Sequence, residues 1–321
     1  MLKSYPDIYH DETFSDMNQS VVLRLRKWIF ALAPWIVVYA LMVSLAYLAP
    51  VSGSDWVYHF KPRNMVFIPW TEILSIILPD LPFLTGLTLT ALAYCLWSRK
   101  ATAWQMAAAF CALPLFWCIW LGQVDAVPML GLALLPWGIP LALIKPQATV
   151  WYLWVWWRRR KDRWVIALGT LAFLGLSLVI WGWWPIERRE FPLTFFSSYN
   201  LSVWRIHWAF GIIFVIAALL ENDPERAMAL GILASPYVQG NSFLILLPLF
   251  TRLKGWPLFA VWVASWLGAL ALIFGDNARL LAMFFPLSLW LALFLMDRKQ
   301  RKLAVLQEEP LPSPEPGAMK G

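Results

Sequence analysis

Charge is scarce in this sequence. Only 14% of its residues are Asp, Glu, Lys or Arg, against about 25% in soluble globular domains. With 60% hydrophobic residues, that little charge cannot cover the surface of a water-facing globule. A soluble enzyme or binding domain is excluded, and a lipid bilayer is the solvent that fits. Cysteine is nearly absent too. Cys95, Cys111 and Cys118 are odd in number, lie inside apolar runs and lack metal-ligand spacing. That excludes a disulfide framework and points to small buried hydrophobes. No Asp/Glu/His cluster has metal spacing, so no metal and no cofactor is expected. No internal repeat is visible, which weighs against a transporter built on inverted repeats. Residues 1–22 are polar and of mixed charge, and the first apolar run is too long for a signal-peptide core, so an uncleaved anchor is expected.

Long apolar runs, by contrast, are plentiful. A spanning helix needs roughly 20 apolar residues, because the hydrocarbon core is about 30 Å thick. The stretches 28–50, 81–98, 101–124, 126–144, 164–184, 256–275 and 280–296 meet that test without a charge. The basic residues cluster at the ends of these runs: Arg24, Arg26 and Lys27; Arg99 and Lys100; Arg158, Arg159, Arg160, Lys161 and Arg163; Arg252 and Lys254; Arg298, Lys299, Arg301 and Lys302. The positive-inside rule makes these ends cytoplasmic, together with both termini, in a multi-pass plasma-membrane protein. The net charge of +7 is accounted for by this pattern, and no nucleic-acid partner is expected. The 23 tryptophans gather at run ends, as an interfacial belt does. Three regions follow: a cytoplasmic segment 1–27, a membrane domain 28–296, and a cytoplasmic, largely disordered tail 297–321 that turns polar and Pro-rich from about Gln307.

Two stretches resist a straight count. Residues 227–250 have charged flanks that both look cytoplasmic, with Ser235-Pro236 and Gly240-Asn241 in the middle. We expect two half-helices, with the polar break buried in protein or lining a cavity; a single kinked span is the alternative. Residues 126–144 contain Pro136, Gly138 and Pro140. As a straight span they deliver Lys145 to the inside, where it snorkels. If the chain turns back, Lys145 lies on the same outer side as Gln123.

Four polar islands ask for a function. Asp55 follows the first run, with Trp56, Tyr58, His59 and Phe60 beside it. Tyr58 and His59 are suited to orienting a hydroxyl, and partial burial lifts a carboxylate toward a general base's working range; otherwise Asp55 is a solvated loop residue. Gly122, Gln123 and Asp125 form either a binding turn or an ordinary polar one. Lys145 sits within an apolar region, where a charge is costly and marks a function by default. Asn200, Ser202, Arg205 and His207 enter another run from the outer side, with Arg205 and His207 placed for a phosphate. The outer loop also carries Arg188 and Arg189, which break the positive-inside rule; they serve a phosphate or pair with Glu187 and Glu190.

In order, these islands and Ser235-Pro236 resemble the GT-C superfamily of glycosyltransferases that use polyprenyl-phosphate sugars. They are most similar to glycosyltransferase family 87, with its bacterial mannosyl- and arabinofuranosyltransferases. The matching residues are Asp55 and Tyr58, Gly122 and Gln123, Lys145 and Pro146, Asn200 and Ser202, and Ser235 and Pro236, over about residues 28–255. Asp125 stands where the family has Asn, and the stretch from Gln123 to Lys145 is shorter than the family's two spans. The resemblance implies an all-α polytopic GT-C bundle of about 8–10 transmembrane or half-membrane helices, with catalytic loops on the extracytoplasmic face. It implies transfer of a sugar from a polyprenyl-phosphate donor to a glycan or glycolipid hydroxyl, with inversion.

The chemistry that transfer demands can be set against the residues. Phosphate leaves with a second pKa of about 6 and needs no general acid, so one base suffices, and Asp55 fits. Arg205, Lys145, His207, Arg188 and Arg189 are the candidates to hold the phosphate charge. Tyr58, His59, Gln123, Asp125, Asn200 and Ser202 are the candidate substrate contacts. A transporter or lipid-linked flippase and a non-catalytic scaffold are the competing classes.

Overall fold

The structure is a computed structural model and describes residues 35–48, 53, 70–78, 80–183 and 200–308. Every regular element among them is helical. Four helices are long and apolar enough to cross a membrane, Leu81–Ser98, Arg163–Trp181, Trp256–Phe274 and Asn277–Ala304; a fifth is added if the bent pair Ala103–Phe110 and Leu113–Leu121 forms one span. The chain is an all-α membrane protein, as its composition requires. Arg163–Trp181 shows this most directly. It buries only Ser177 and exposes Val165, Leu168, Leu171, Leu176 and Val179, an apolar surface suited to lipid rather than water.

The chain begins with α1 (Trp35–Leu48), the short α2 (Thr71–Ile77) and the spanning α3 (Leu81–Ser98). The run expected over 101–124 is two helices, α4 (Ala103–Phe110) and α5 (Leu113–Leu121), bent by 45°. Pro114, in the first turn of α5, has no N–H to offer the preceding helix, so the ladder stops there. Gly122 ends α5 in the left-handed conformation at φ 69°, which suits a residue without Cβ.

The stretch 126–144 does not form a straight span. It folds back as α6 (Ala126–Ala133) and α7 (Ile139–Ala142), with α8 (Pro146–Arg158) leaving beyond Lys145. Eight residues make α6 about 12 Å long, far short of a bilayer core. The arms touch backbone to backbone. A Cβ added to Gly138 would lie 2.0 Å from the Gly131 carbonyl oxygen. Pro136 and Pro140 withhold donors from the turn.

After α9 (Arg163–Trp181) come α10 (Trp208–Leu220), α11 (Pro224–Ala234) and a 3-10 helix, Gly240–Arg252. Asp223 starts α11 by accepting hydrogen bonds from the N–H groups of Glu225 and Arg226, with Pro224 in the first turn, where its missing N–H costs nothing. Arg252 returns to that same end. It pairs with Asp223 at 2.9 Å, Glu225 at 2.8 Å and Asp297 at 2.6 Å. Arg226 holds Glu221 at 2.8 Å, and Arg99 holds Glu225. The segment 227–250 therefore enters and leaves by one arginine-rich end, as two half-helices. The core lies between them and the last helix, Phe284–Glu308, where Phe243 and Phe250 meet Phe285 edge to face.

Burial alone would raise the Asp223 carboxyl pKa, but the Arg226 backbone N–H and the Arg252 guanidinium outweigh it and hold the pKa below the usual value. A lowered folded pKa gives stability that is complete above the unfolded pKa of about 3.9 and is lost as pH falls through the folded value. Thermal unfolding in nanodiscs should therefore show a melting temperature that drops below about pH 4. Arg252→Gln should flatten that dependence; an unchanged profile would remove Arg252 as its cause.

The last elements are α12 (Trp256–Trp266), α13 (Ala271–Phe274) and α14 (Phe284–Glu308), linked by 3-10 turns. The helix α14 does not stop with the apolar run at 296. It continues through Arg298, Lys299, Arg301 and Lys302 to Glu308, since Lys, Arg and Gln are good helix formers. The helix thus runs past the expected membrane boundary at 297.

Candidate functional site

The fold-back at 126–144 has one chief consequence: it carries Lys145 to Asp125. The Lys145 ammonium lies 2.7 Å from Asp125 Oδ2 and 2.8 Å from Gln123 Oε1. Asn241, at the start of the 3-10 helix, donates to the same Asp125 oxygen at 2.8 Å. All four side chains are buried, with exposures of 2% for Gln123, 0% for Asp125, 3% for Lys145 and 1% for Asn241. Lys145 stands at the N-terminus of α8, where the helix dipole disfavours a cation. Its pairing with Asp125 is what compensates.

The neighbouring islands are joined to this cluster. Ser235 Oγ donates to the Gln147 carbonyl and accepts from Trp151 Nε1 at 3.1 Å. A Cβ on Gly231 would lie 2.1 Å from Trp151, so α8 and α11 lie ring against backbone. Pro236 forces Ser235 into an extended conformation, at ψ 140°, and this ends α11. Asn200 then serves the broken chain. Its Oδ1 accepts from the N–H groups of Ser202 and Val238, and its Nδ2 donates to the Pro236 carbonyl. Leu201 N–H donates to the Val238 carbonyl at 2.7 Å, and Ser202 Oγ to that of Leu233. Irregular backbone in an apolar interior needs these bonds, since no water is there to replace them.

Five of the predicted site residues, Gln123, Asp125, Lys145, Asn200 and Ser202, therefore converge around the break at 235–241. The cluster lies at the far end of α8 from Arg158, about 20 Å from the arginine-rich end by the helix's 13 residues. Arg205 is half-buried beside it in sequence, with Nη1 3.4 Å from the Asn200 carbonyl. His207 caps α10, its Nδ1 accepting from Ala209 N–H at 3.2 Å. Asp55, Tyr58, His59, Arg188 and Arg189 lie outside the described residues.

Lys145 forms an ion pair with Asp125, and Asn200 and Ser202, both buried, hold backbone in place. Asn241, expected only as part of the polar break at 235–241, joins the cluster as well. A lone Asn beside a Pro-Gly break in an apolar run was the available signal, because a buried amide must find partners.

Among the described residues no group of His, Cys, Asp or Glu is arranged to hold a metal ion. Asp125 Oδ1 and Asn241 Oδ1 are buried and have no hydrogen-bond partner among the described residues. A hydroxyl or water donor is the chemistry that would satisfy them. No protein family, curated protein or solved structure matches this chain.

Proposed function

We propose that the chain is an integral membrane glycosyltransferase that moves a sugar from a polyprenyl-phosphate donor to an acceptor hydroxyl at the face opposite the arginine-rich end. One observation carries the reading. Islands spread from Gln123 to Asn241 in sequence are drawn together, by the two fold-backs, at a single level of the bundle. In this reading Asp55 is the general base. Arg205, with Arg188 and Arg189, holds the leaving phosphate. The Asp125–Lys145–Asn241 cluster holds the turn after α5 against the start of the 3-10 helix. A fixed scaffold under reacting groups is how position is converted into rate.

The test is direct. Protein in nanodiscs is supplied with labelled polyprenyl-phosphate sugars and a panel of hydroxyl acceptors. Transfer to any acceptor, with inversion, supports the reading; neither donor binding nor transfer with any lipid sugar overturns it. A transporter or flippase is the second reading, favoured by the buried Asp125–Lys145 pair, since charge within a membrane interior often lines a path for ions or substrates. Flux in sealed vesicles without transfer would select it.

Sidedness has its own measurement. With Cys95, Cys111 and Cys118 replaced, Asp80→Cys should react with an impermeant thiol reagent on intact cells. Lys161→Cys, at the arginine-rich end, should react only after permeabilisation. The reverse pattern would place the arginine-rich end outside.

A further inference from the structure

At the arginine-rich end, α4 and α12 leave between them a cleft of about 720 Å³, within the size range of small-molecule sites. It is lined by the small residues Ala107 and Ala108 and by Trp104, Phe259 and Trp262. Gln105, buried, donates to the carbonyls of Thr251 at 3.0 Å and Leu253 at 2.8 Å, fastening the 3-10 helix to α4. Gly255, at φ 57°, then turns the chain into α12 and leaves Lys254 lining the cleft.

Lys254 differs from its neighbours. Arg99, Arg226 and Arg252 are all held by carboxylates. The Lys254 side chain is exposed and has no ion-pair or hydrogen-bond partner among the described residues. Trp104 lines the same cleft from the start of α4, and Trp256, two residues after Lys254, starts α12; they are 82% and 73% exposed. Exposed tryptophan at a helix end is the signature of a headgroup boundary. An apolar slot with one unpaired cation beside that boundary is complementary to an anionic lipid, chain inside and phosphate outside.

We propose that this cleft is a specific site for an anionic phospholipid, with a phosphodiester on Lys254 and an acyl chain against Ala107 and Ala108. A phosphodiester carries one negative charge and matches one lysine. A terminal phosphate monoester carries nearly two and would call for a second cation in the slot. None of the candidate site residues lines the cleft, so it is separate from the donor position proposed above. The inference rests on the apolar helices being membrane spans, not on glycosyl transfer.

The experiment is native mass spectrometry of the delipidated full chain in detergent, titrated with phosphatidylglycerol, phosphatidylcholine or inorganic phosphate. One lysine near an anionic headgroup should favour phosphatidylglycerol by about fivefold. Lys254→Gln should abolish that preference and leave chain binding. Ala107→Trp, which fills the slot from an exposed position, should lower binding of both lipids. The two variants act independently, one on charge and one on shape, and melting curves confirm that each is folded. Equal affinity for the two lipids in the wild type overturns the proposal. So does unchanged binding in Ala107→Trp. Displacement of lipid by millimolar inorganic phosphate would mark a soluble-anion site, and a two-chain mass replacing lipid would mark a self-association face; both overturn it. Failure of the chain to float with liposomes would instead sink the membrane reading.

Discussion

Lys145→Met is expected to lower the stability of the bundle by about 3–5 kcal/mol, because it strands the Asp125 carboxylate in an apolar interior. Lys145 is the residue that joins three strokes of chain. It holds Asp125 and Gln123 at the end of α5, and through Asp125 it reaches Asn241 at the start of the 3-10 helix. Asp125→Leu alone should be as damaging, since it leaves the ammonium buried without a counter-charge. The double variant is the informative one. Removing both charges removes the penalty of an unpaired ion, and much of the loss should be recovered. Thermal unfolding of the four proteins in nanodiscs reads this as a cycle. Additive losses would mean that the 2.7 Å contact carries no coupling. Asn241→Ala should cost less, on the order of 1–3 kcal/mol, since Asp125 keeps its lysine.

If Asp55 is the general base of the proposed reaction, Asp55→Asn should act in the opposite way, with loss of transfer by about 10²–10⁴-fold and an unchanged melting temperature. The amide keeps the shape and cannot accept the proton of the attacking hydroxyl. On that proposal, binding of the lipid-sugar donor should survive, because a general base acts on the acceptor hydroxyl. Substantial residual turnover would remove Asp55 from the role. A parallel fall in stability would make it a structural residue. Set beside Lys145→Met, the pair separates what performs the reaction from what holds the site, and each variant has a readout the other should leave unmoved.

The membrane class and the apolar runs at 81–98 and 164–184 were legible because a bilayer reads composition locally. Roughly 20 uncharged apolar residues are enough, whatever the neighbours do. The Ser235-Pro236 break was legible for a similar reason, since proline restricts its predecessor through bonded geometry. The run at 126–144 was not. Its composition suits a span equally well, and only contact between Gly131 and Gly138, with Lys145 finding Asp125, selects the fold-back. The paired flanks of 227–250 were visible as charges, but not as partners. Arg252 meets Asp223 and Glu225 across the segment and Asp297 from α14, residues that sequence spacing cannot associate. The same holds for the role of each polar residue. The sequence by itself determined that this is an all-α membrane protein with polar residues set into apolar surroundings. Tertiary structure alone decided which of them meet, because a buried charge or amide is satisfied by whatever the fold brings within 3 Å, at any separation along the chain.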